Sequence, residues 1–295
     1  MATVSCGRTS ERFGFIERYR KDFKVTFLCD WLKVSRSGFY AWRKRSASRR
    51  SIEDKTLSIN IFNIYKDSRG TYGSPRVYQT LKRQGVAVGK KRVERIMQEQ
   101  GLRGRVFNVT KRMPNYKGYL KRGNNLRLAH PQPTKVNQVW VSDITYLKVR
   151  NTYKYLTVIM DLYSRRILNW SLTDKRTTLE TSNVLKRTIR ERQPGEQLIF
   201  HTDRGIEFTG KNFRKVLSKH NIKASVNRLG YCTDNGHMES YFHSLKAELI
   251  RGRTFNSMGD LRYALNSYIN HFYNKKRLHS GIGYCSPIEY EKIAV

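Results

Sequence analysis

Apolar residues at helical spacing, interrupted by Gly and Ser turns, dominate the first hundred residues of the chain. Residues 26–32 fit a short helix, and a turn through residues 34–38 leads into a second helix. Ser35 or Ser37 can cap that second helix, because a Ser hydroxyl accepts from the free backbone N–H groups of a first turn. The pattern predicts a helix-turn-helix segment over residues 1–50.

A second group of helices is predicted between residues 51 and 110. A helix over residues 75–83 follows a turn between two glycines, and Pro75 suits its first position. Another helix starts after Gly89 and ends at Gly101. The apolar positions at helical spacing in this group are Leu57, Ile61, Ile64, Val93, Ile96 and Met97. This spacing predicts a second helix-turn-helix domain.

The pattern changes after residue 136, where runs rich in Val, Ile and Tyr alternate with helical stretches. Strands are predicted at residues 138–147, 153–161, 166–172, 198–200 and 223–226. Helices are predicted at residues 177–192, at 211–220 and from about 234 onward, the first with Leu179, Val184, Leu185 and Ile189 facing inward. Three strands followed by alternating helices and strands predict an α/β fold, a mixed sheet flanked by helices.

The composition narrows the classes of partner. The 295 residues include 58 Lys and Arg against 23 Asp and Glu, a net charge of +35. The aromatic content of 12% argues against a disordered polycation. A folded protein of this charge is typical of nucleic-acid binders, with a ribosomal-type structural protein or a membrane-surface binder as the alternatives.

Several other classes are excluded by the sequence. Its longest apolar runs are far short of the roughly 20 residues that span a bilayer, so no membrane association is expected. The N-terminus has no apolar signal region. Four widely separated cysteines form neither a disulfide framework nor a zinc finger. A cytoplasmic, nucleoid-associated protein is the expectation.

The positive charge is concentrated in the N-terminal part. Residues 1–135 carry a net charge of +23 and residues 136–295 a net charge of +12. Residues 111–135 contain seven Lys and Arg residues near Gly, Asn and Pro and are interpreted as a basic linker to a core of residues 136–295. The predicted DNA-contacting side chains of the two helical segments are Arg36, Arg43, Lys90, Lys91, Arg92 and Arg95. A three-helix domain with a solvated basic face is the alternative.

Three carboxylates mark the candidate chemistry. Asp143 lies inside an apolar strand, Asp203 ends another, and Glu239 lies on a helix, with 35 residues between the last two. An unpaired carboxylate in an apolar strand is costly and favours a metal or cationic partner. Oxygen donors suit Mg²⁺ or Mn²⁺, and two such ions can drive phosphodiester transfer. Surface or capping roles remain the alternative on these residues alone.

Other polar residues near these blocks receive simpler interpretations. His201 is expected to be structural or to contact DNA. Asp234 is expected to cap a helix, Glu207 to be solvated and Cys232 to be a small buried apolar residue. The aromatic stretch of residues 263–273 is expected to pack in the core. Three basic residues after it are expected to clamp the DNA backbone: Lys275, Lys276 and Arg277.

Three sequence blocks resemble the signature of DDE transposases. These are residues 140–145 (WVSDIT), 201–205 (HTDRG) and 234–246 (DNGHMESYFHSLK). The chain is most similar to the second-frame protein (OrfB) of the IS-three family of insertion sequences, which has a retroviral-integrase-like core. Residues 273–280 (YNKKRLHS) and 286–290 (SPIEY) resemble its C-terminal block, and residues 65–104 its helix-turn-helix domain.

The resemblance implies a ribonuclease-H-like fold and metal-dependent DNA strand cleavage and strand transfer. Asp143, Asp203 and Glu239 would be both the catalytic residues and the ligands of two Mg²⁺ or Mn²⁺ ions. Lys246 stands at the family's basic position seven residues after Glu239. Seven residues are two helical turns, so both side chains share a face, and Lys246 would hold the DNA backbone beside the ions.

The same resemblance implies the partners. They are double-stranded DNA at the element ends and at the target, further copies of the chain in a dimer or larger assembly, and the first-frame protein as a frameshift fusion. Two alternatives remain open at this stage: a ribonuclease-H-like nuclease that cuts without joining, and a non-catalytic DNA-binding regulator.

Overall fold

The computed structural model of the protein describes residues 8–46, 48–105, 124–130 and 132–293, apart from the side chain of Cys232. The expectation for Cys232, and the part of the predicted linker at residues 111–123, therefore lie outside the described residues. The chain divides into two compact units, residues 1–60 and 61–295. Within the described residues, no helix has both the length and the apolar character needed to cross a membrane.

The first unit is built from short helices around an aromatic core. Its helices are α1 (Thr9–Tyr19), α2 (Val25–Trp31), α3 (Arg36–Lys44) and the beginning of α4 (Arg49–Asp67). Phe13 packs against Phe39 and Trp42, with ring centroids 6.1 and 5.8 Å away. Ser35 caps α3, its hydroxyl accepting from the N–H of Gly38 at 3.2 Å. The predicted helix, turn and capped second helix are confirmed.

The second unit begins with the rest of α4 and continues through α5 (Ser74–Arg83) and α6 (Lys90–Glu99). The apolar positions expected to pack inward in α4 and α6 are buried. Pro75 occupies the second helical position of α5, one residue later than expected, because Ser74 is the first helical residue.

Five strands form one mixed sheet in the second unit. They are β1 (Val139–Val149), β2 (Thr152–Asp161), β3 (Ile167–Thr173), β4 (Ile199–Thr202) and β5 (Lys223–Val226), in the order β3-β2-β1-β4-β5. The first three strands are antiparallel neighbours, while β4 is parallel to β1 and β5 is parallel to β4. The predicted mixed sheet is confirmed, and it places β1 at its centre.

Helices α7 (Thr178–Arg192), α8 (Ile206–Thr209) and α9 (Lys211–Lys219) follow β3 and β4. Side chains of α7 and α9 share one apolar core with Trp140 and Phe200 of the sheet. Leu179 is 58% exposed, so its predicted inward position is wrong. Val184, Leu185 and Ile189 are buried as predicted, and Leu179, in the first turn, lies off the face that they share.

The described end of the predicted linker is part of the sheet domain. The N–H of Val226 on β5 donates to the carbonyl of Asn124 at 3.2 Å, and the N–H of Leu126 donates to Ser225 Oγ at 2.9 Å. A one-turn 3₁₀ helix follows at Leu126–Ala129. Residues 124–130 therefore pack along β5 rather than forming a loose connection.

The C-terminal part is helical and contains two π-helical segments. It comprises a 3₁₀ turn (Cys232–Asn235), α10 (Gly236–Leu245), a π segment (Lys246–Ile250), α11 (Met258–Asn266), a second π segment (Ser267–Tyr273), a 3₁₀ turn (Ser280–Ile282) and α12 (Pro287–Ile293). Tyr268, Phe272 and Tyr273 are buried as predicted. Tyr263 is 78% exposed, so the expectation of core packing is wrong at that end.

Helix α5 and the loop before it bond to this C-terminal part. Tyr72 Oη donates to the carbonyl of Lys276 at 3.1 Å and accepts from the N–H of Leu278 at 2.9 Å. Arg76 Nε donates to the carbonyl of Leu278 at 3.0 Å. These bonds fix residues more than 200 positions apart in sequence and shape the surroundings of α10.

Candidate active site

The parallel pairing of β1 and β4 places the first two carboxylates side by side. Ser142 of β1 is in register with Thr202 of β4. Asp143 and Asp203 each follow directly after one of these paired residues. Since neighbouring strands lie about 4.8 Å apart, the two aspartates occupy adjacent positions at one edge of the paired region.

Helix α10 brings the third carboxylate to the same region. Asn235, directly before the helix, donates from Nδ2 to the carbonyl of Ser142 at 3.2 Å. This bond anchors the start of α10 to β1 beside Asp143. Glu239 lies in the first turn of α10 and is exposed. The structure therefore gathers on one side of the sheet the three acidic residues that the sequence singles out.

Electrostatics distinguish this group from ordinary surface acids. Burial raises the pKa of Asp143 to about 8, and the neighbouring charges of Asp203 and Glu239 contribute to the rise. The N–H of Ile144, 2.7 Å from Asp143 Oδ1, acts in the opposite direction. Burial also raises the pKa of Asp203. The carboxylates are thus held close enough to repel one another.

The carboxylates do not form a complete metal site by themselves. Among the described residues, no three His, Cys, Asp or Glu side chains converge as a set of metal ligands. The donor chemistry is nevertheless that of a site for hard cations, because every donor is a carboxylate oxygen. A divalent ion would also offset the burial and the repulsion between carboxylates that together raise the pKa of Asp143.

Lys246 is the first residue of the π segment after α10, and it lies near Asp143 and Tyr146. Its ammonium group stands 5.1 Å from the centroid of the Tyr146 ring. The pKa of Lys246 is lowered, because the effect of burial exceeds the opposite effect of the Asp143 charge. The side chain is therefore partly buried beside Asp143, and it presents a positive charge at the rim of the acidic group.

Two residues near Asp203 were not foreseen correctly from the sequence. Glu207 is buried and pairs with Arg176, so its predicted solvated position is wrong. A Cβ at Gly205 would lie 2.7 Å from Glu207 Oε2 and 3.0 Å from Asp203 Oδ1. A larger residue at position 205 would therefore displace one of these carboxylates. The HTDRG block contains this glycine, but nothing in the local pattern pointed to Arg176.

His201 is a structural residue in this fold. Its ring is fully buried, with Nδ1 2.9 Å from Ser225 Oγ and Nε2 2.8 Å from Asn227 Oδ1. Burial lowers the pKa of His201 to about 4. Both nitrogens are occupied by β5 and the residue after it, so this side chain does not reach DNA.

Asp234 does not cap α10 as expected. Its carboxylate accepts from the N–H, Nε and Nη2 of Arg228 at 2.8, 3.1 and 2.9 Å, and from Asn125 Nδ2 at 2.7 Å. The hydrogen bond from the Arg228 side chain is the largest cause that lowers the pKa of Asp234 to about 2. Asn235 occupies the cap position instead. Asp234 ties residues 124–130 to the loop before α10.

The predicted DNA-contacting residues of the helical segments lie at the surface to differing degrees. Lys90 and Lys91 are exposed in the first turn of α6, while Arg92 and Arg95 are partly buried. Arg95 Nη1 lies 2.7 Å from Glu99 Oε1. In the first unit, Arg36 and Arg43 are exposed at the two ends of α3, and Arg43 Nε is 3.5 Å from Glu17 Oε2.

The predicted C-terminal clamp requires one correction. Lys275 and Lys276 are exposed, but Arg277 is only 4% exposed. Its Nη2 donates to Glu248 Oε1 at 2.6 Å, and its Nε donates to Glu248 Oε2 at 2.9 Å. Arg277 is therefore not part of an exposed clamp, because its charge is directed into the protein and paired there.

Comparisons with known proteins agree with this geometry. Residues 133–232 match the family described as integrase core domain, residues 239–294 match a second family of the same description, and residues 51–108 match an HTH-like domain. Transposase InsF for insertion sequence IS3A of Escherichia coli (strain K12) is 32% identical over 283 residues, which cover 95% of this chain and 98% of that protein.

One further protein and one solved structure are also similar to this chain. The insertion element IS600 uncharacterized 31 kDa protein of Shigella sonnei is 32% identical over 265 residues, covering 90% of this chain and 97% of that protein. Among solved structures, a chain of the simian T-cell lymphotropic virus intasome in complex with PP2A regulatory subunit B56 gamma aligns with a TM-score of 0.47. Its sequence identity is 15%, and the alignment covers 78% of this chain and 73% of that chain.

Proposed function

The chain belongs to the IS-three family of insertion-sequence transposases, and we propose that Asp143, Asp203 and Glu239 are its catalytic carboxylates. The observation that supports this assignment is the register of β1 and β4, which sets Asp143 beside Asp203, while Asn235 anchors the start of α10, the helix of Glu239, to β1. The reaction is DNA strand cleavage at the ends of the element followed by transfer of those ends to target DNA.

We propose that these carboxylates hold two divalent ions, Mg²⁺ or Mn²⁺. Two aspartates on adjacent strands supply a fixed pair of oxygen donors, and the exposed Glu239 completes the set by turning its side chain toward them. When bound, such ions lower the pKa of the attacking water or 3′-hydroxyl and stabilise the leaving oxygen. The protein then has no need of a separate general base.

Lys246 holds the DNA in this proposal. Its ammonium group lies beside Asp143 and over the Tyr146 ring, so it can bind a backbone phosphate at the edge of the carboxylate group. Tyr146 limits the positions that the Lys246 side chain can take. Lys246 therefore positions the DNA strand and is not itself a ligand of the metal ions.

DNA is the partner that the two kinds of domain imply, since the chain combines an HTH-like domain with an integrase core. The finer partners remain proposals. We infer that the protein recognises the ends of its element with the helical segments, works as a dimer or larger assembly, and can act as a frameshift fusion with the first-frame protein. Its place of action would be the DNA of a bacterial cytoplasm.

The test is a cleavage and strand-transfer assay on duplexes that carry the element ends. We expect Asp203→Asn to reduce both products at least about a hundredfold, because loss of one ligand removes several kcal/mol of transition-state stabilisation. EDTA should have the same effect on the native chain. Asp174→Asn is the matched control, since Asp174 is exposed and pairs with Lys154.

The outcomes separate the alternatives. Cleavage without joined product would indicate a nuclease, and end binding with no metal-dependent product from either this chain or its fusion would indicate a DNA-binding regulator. Equal activity of Asp203→Asn and Asp174→Asn would contradict the assignment of the catalytic carboxylates.

A further inference from the structure

A polar cavity of about 290 Å³ lies on a face of α10 that points away from Glu239. Helix α10 contributes four residues at positions i, i+3, i+4 and i+7 to its wall: His237, Ser240, Tyr241 and Ser244. With 3.6 residues per turn, this face is turned by well over a quarter of a turn from the one that carries Glu239 and Lys246. The cavity is therefore separate from the carboxylate group.

Three arginines from distant parts of the chain line this cavity. Arg76 comes from α5, Arg165 from the turn between β2 and β3, and Arg277 from the segment after the second π helix. Glu248 is the carboxylate that pairs with Arg277. Arg76 donates from Nε to a backbone carbonyl. The cavity wall thus carries more positive than negative charge.

The carboxylate whose charge acts on Arg165 is already occupied by the backbone. Asp161 accepts from the N–H of Asn137 at 2.7 Å through Oδ2 and from the N–H of Tyr163 at 2.9 Å through Oδ1. It forms no ion pair with Arg165 among the contacts of the described residues. The positive charge of Arg165 is therefore available to a ligand.

Two hydrogen-bond donors of the wall are buried and have no partner among the described residues: Arg165 Nη1 and Tyr241 Oη. His279 Nε2 is a third buried polar atom of the wall without a partner there. An unpaired buried donor is unfavourable, and an acceptor in the cavity would offset that cost.

The donors are also held in place before any ligand arrives. The ring of Tyr273 packs edge-on against the Tyr241 and His279 rings, with centroid distances of 4.9 and 4.7 Å. Glu248 fixes Arg277 through both carboxylate oxygens. A ligand would therefore lose little free energy in ordering these side chains.

We propose that this cavity binds a phosphate group. Such a group offers several acceptor oxygens and negative charge, which match the unpaired donors of Arg165 and Tyr241 and a surplus of arginine. The cavity is at the small end of ligand pockets, so a phosphate fits it better than a large organic molecule. The phosphate is either free phosphate or a backbone phosphate of bound DNA, and the second source rests on the proposed function.

The first test measures free phosphate with the full chain in EDTA. Inorganic phosphate is titrated against the native protein, with chloride at equal ionic strength as reference, and the melting temperature and dissociation constant are measured. We expect a phosphate-dependent rise in melting temperature and about ten- to hundredfold weaker binding in Arg165→Gln. Arg190→Gln, on the exposed side of α7, is the matched control and should bind as the native chain does.

A second variant separates binding from folding. Tyr241→Phe removes a buried hydroxyl that has no partner among the described residues while keeping the ring, so without phosphate it should be as stable as the native chain or more stable. With phosphate its gain in melting temperature should be smaller than that of the native chain. A purely structural role for Tyr241 would not produce this difference.

The DNA arm identifies the source of the phosphate. If a backbone phosphate enters the cavity, free phosphate should compete with a duplex more strongly than chloride does. Arg165→Gln should then lower the salt dependence of DNA binding by about one phosphate contact. If the duplex and phosphate bind independently, the cavity takes the free ion.

Equal phosphate binding by the native chain, Arg165→Gln and Tyr241→Phe would overturn the proposal, as would no binding at all. Failure of the proposed catalytic function would leave these results unchanged, because the assays contain no divalent metal. Asp203→Asn should accordingly keep the full phosphate response.

Discussion

Lys246 and Arg277 show how differently two basic residues of one chain are used. Lys246 is partly buried next to Asp143, and its ammonium group lies over an aromatic ring. Arg277 is buried and paired with Glu248. A charge beside unpaired carboxylates can reach a phosphate, whereas a charge locked in an internal ion pair stabilises the fold. The two positions therefore call for different experiments.

At Lys246 we expect an effect on DNA rather than on folding. Lys246→Gln should reduce the cleavage rate on element-end duplexes about ten- to hundredfold, the amount expected for one charge-assisted hydrogen bond. Cleavage is measured under single-turnover conditions in Mg²⁺, together with the melting temperature. Lys148→Gln, on the exposed side of β1, is the control and should retain activity. Equal rates for the two variants would remove Lys246 from the DNA path.

The three carboxylates of the candidate site, Asp143, Asp203 and Glu239, can be identified from the sequence, but the side chains around them cannot. Asp143 was conspicuous because it interrupts an apolar strand, and the spacing to Glu239 completed the pattern. Arg176 could not be identified in the same way, because its pairing with Glu207 joins the segment after β3 to the helix after β4. Local patterns report which face of an element is buried, and they do not report contacts between distant turns.

At the level of elements, the two π segments and the loop that follows the second one are joined by hydrogen bonds to Glu248. Glu248 of the first π segment accepts from Tyr268 Oη of the second at 2.7 Å and from Arg277 beyond it. Three segments thus meet at one buried carboxylate. The π segments are only five and seven residues long, too short for their wider turn to show in the apolar spacing, so the sequence predicts a helix here without this change of geometry.

Removing the charge at this junction should destabilise the fold. Glu248→Gln leaves the buried guanidinium of Arg277 without its counter-charge, and breaking such a pair costs about 3–5 kcal/mol. Urea unfolding followed by circular dichroism measures the change in the free energy of unfolding. Glu191→Gln, at an exposed site, should change it by less than about 0.5 kcal/mol. A small effect at both sites would show that the pair contributes little net stability.

For the whole molecule, the division of charge along the sequence only partly follows the division into compact units. The sequence predicts a helix-turn-helix domain of residues 51–110 that is separate from the core. In the structure, Tyr72 and Arg76 bond to residues 276 and 278, and all of them lie in the unit of residues 61–295. A truncation to residues 136–295 would remove these partners, so point variants in the full chain are the better test of how charge is used.

The basic surface of α6 provides that test. Lys90 and Lys91 are exposed in its first turn, whereas most of the helix's buried face is apolar. If both lysines neutralise phosphates, the double variant Lys90→Gln, Lys91→Gln should reduce the slope of log affinity against log salt by about two, since each contact contributes about 0.9. Binding to an element-end duplex is measured in EDTA at several salt concentrations. The control is Lys186→Gln, Arg190→Gln on the exposed side of α7, which removes the same charge. If net charge alone governed binding, both double variants would lower the slope equally, and α6 would lose its assignment as a DNA-contacting helix.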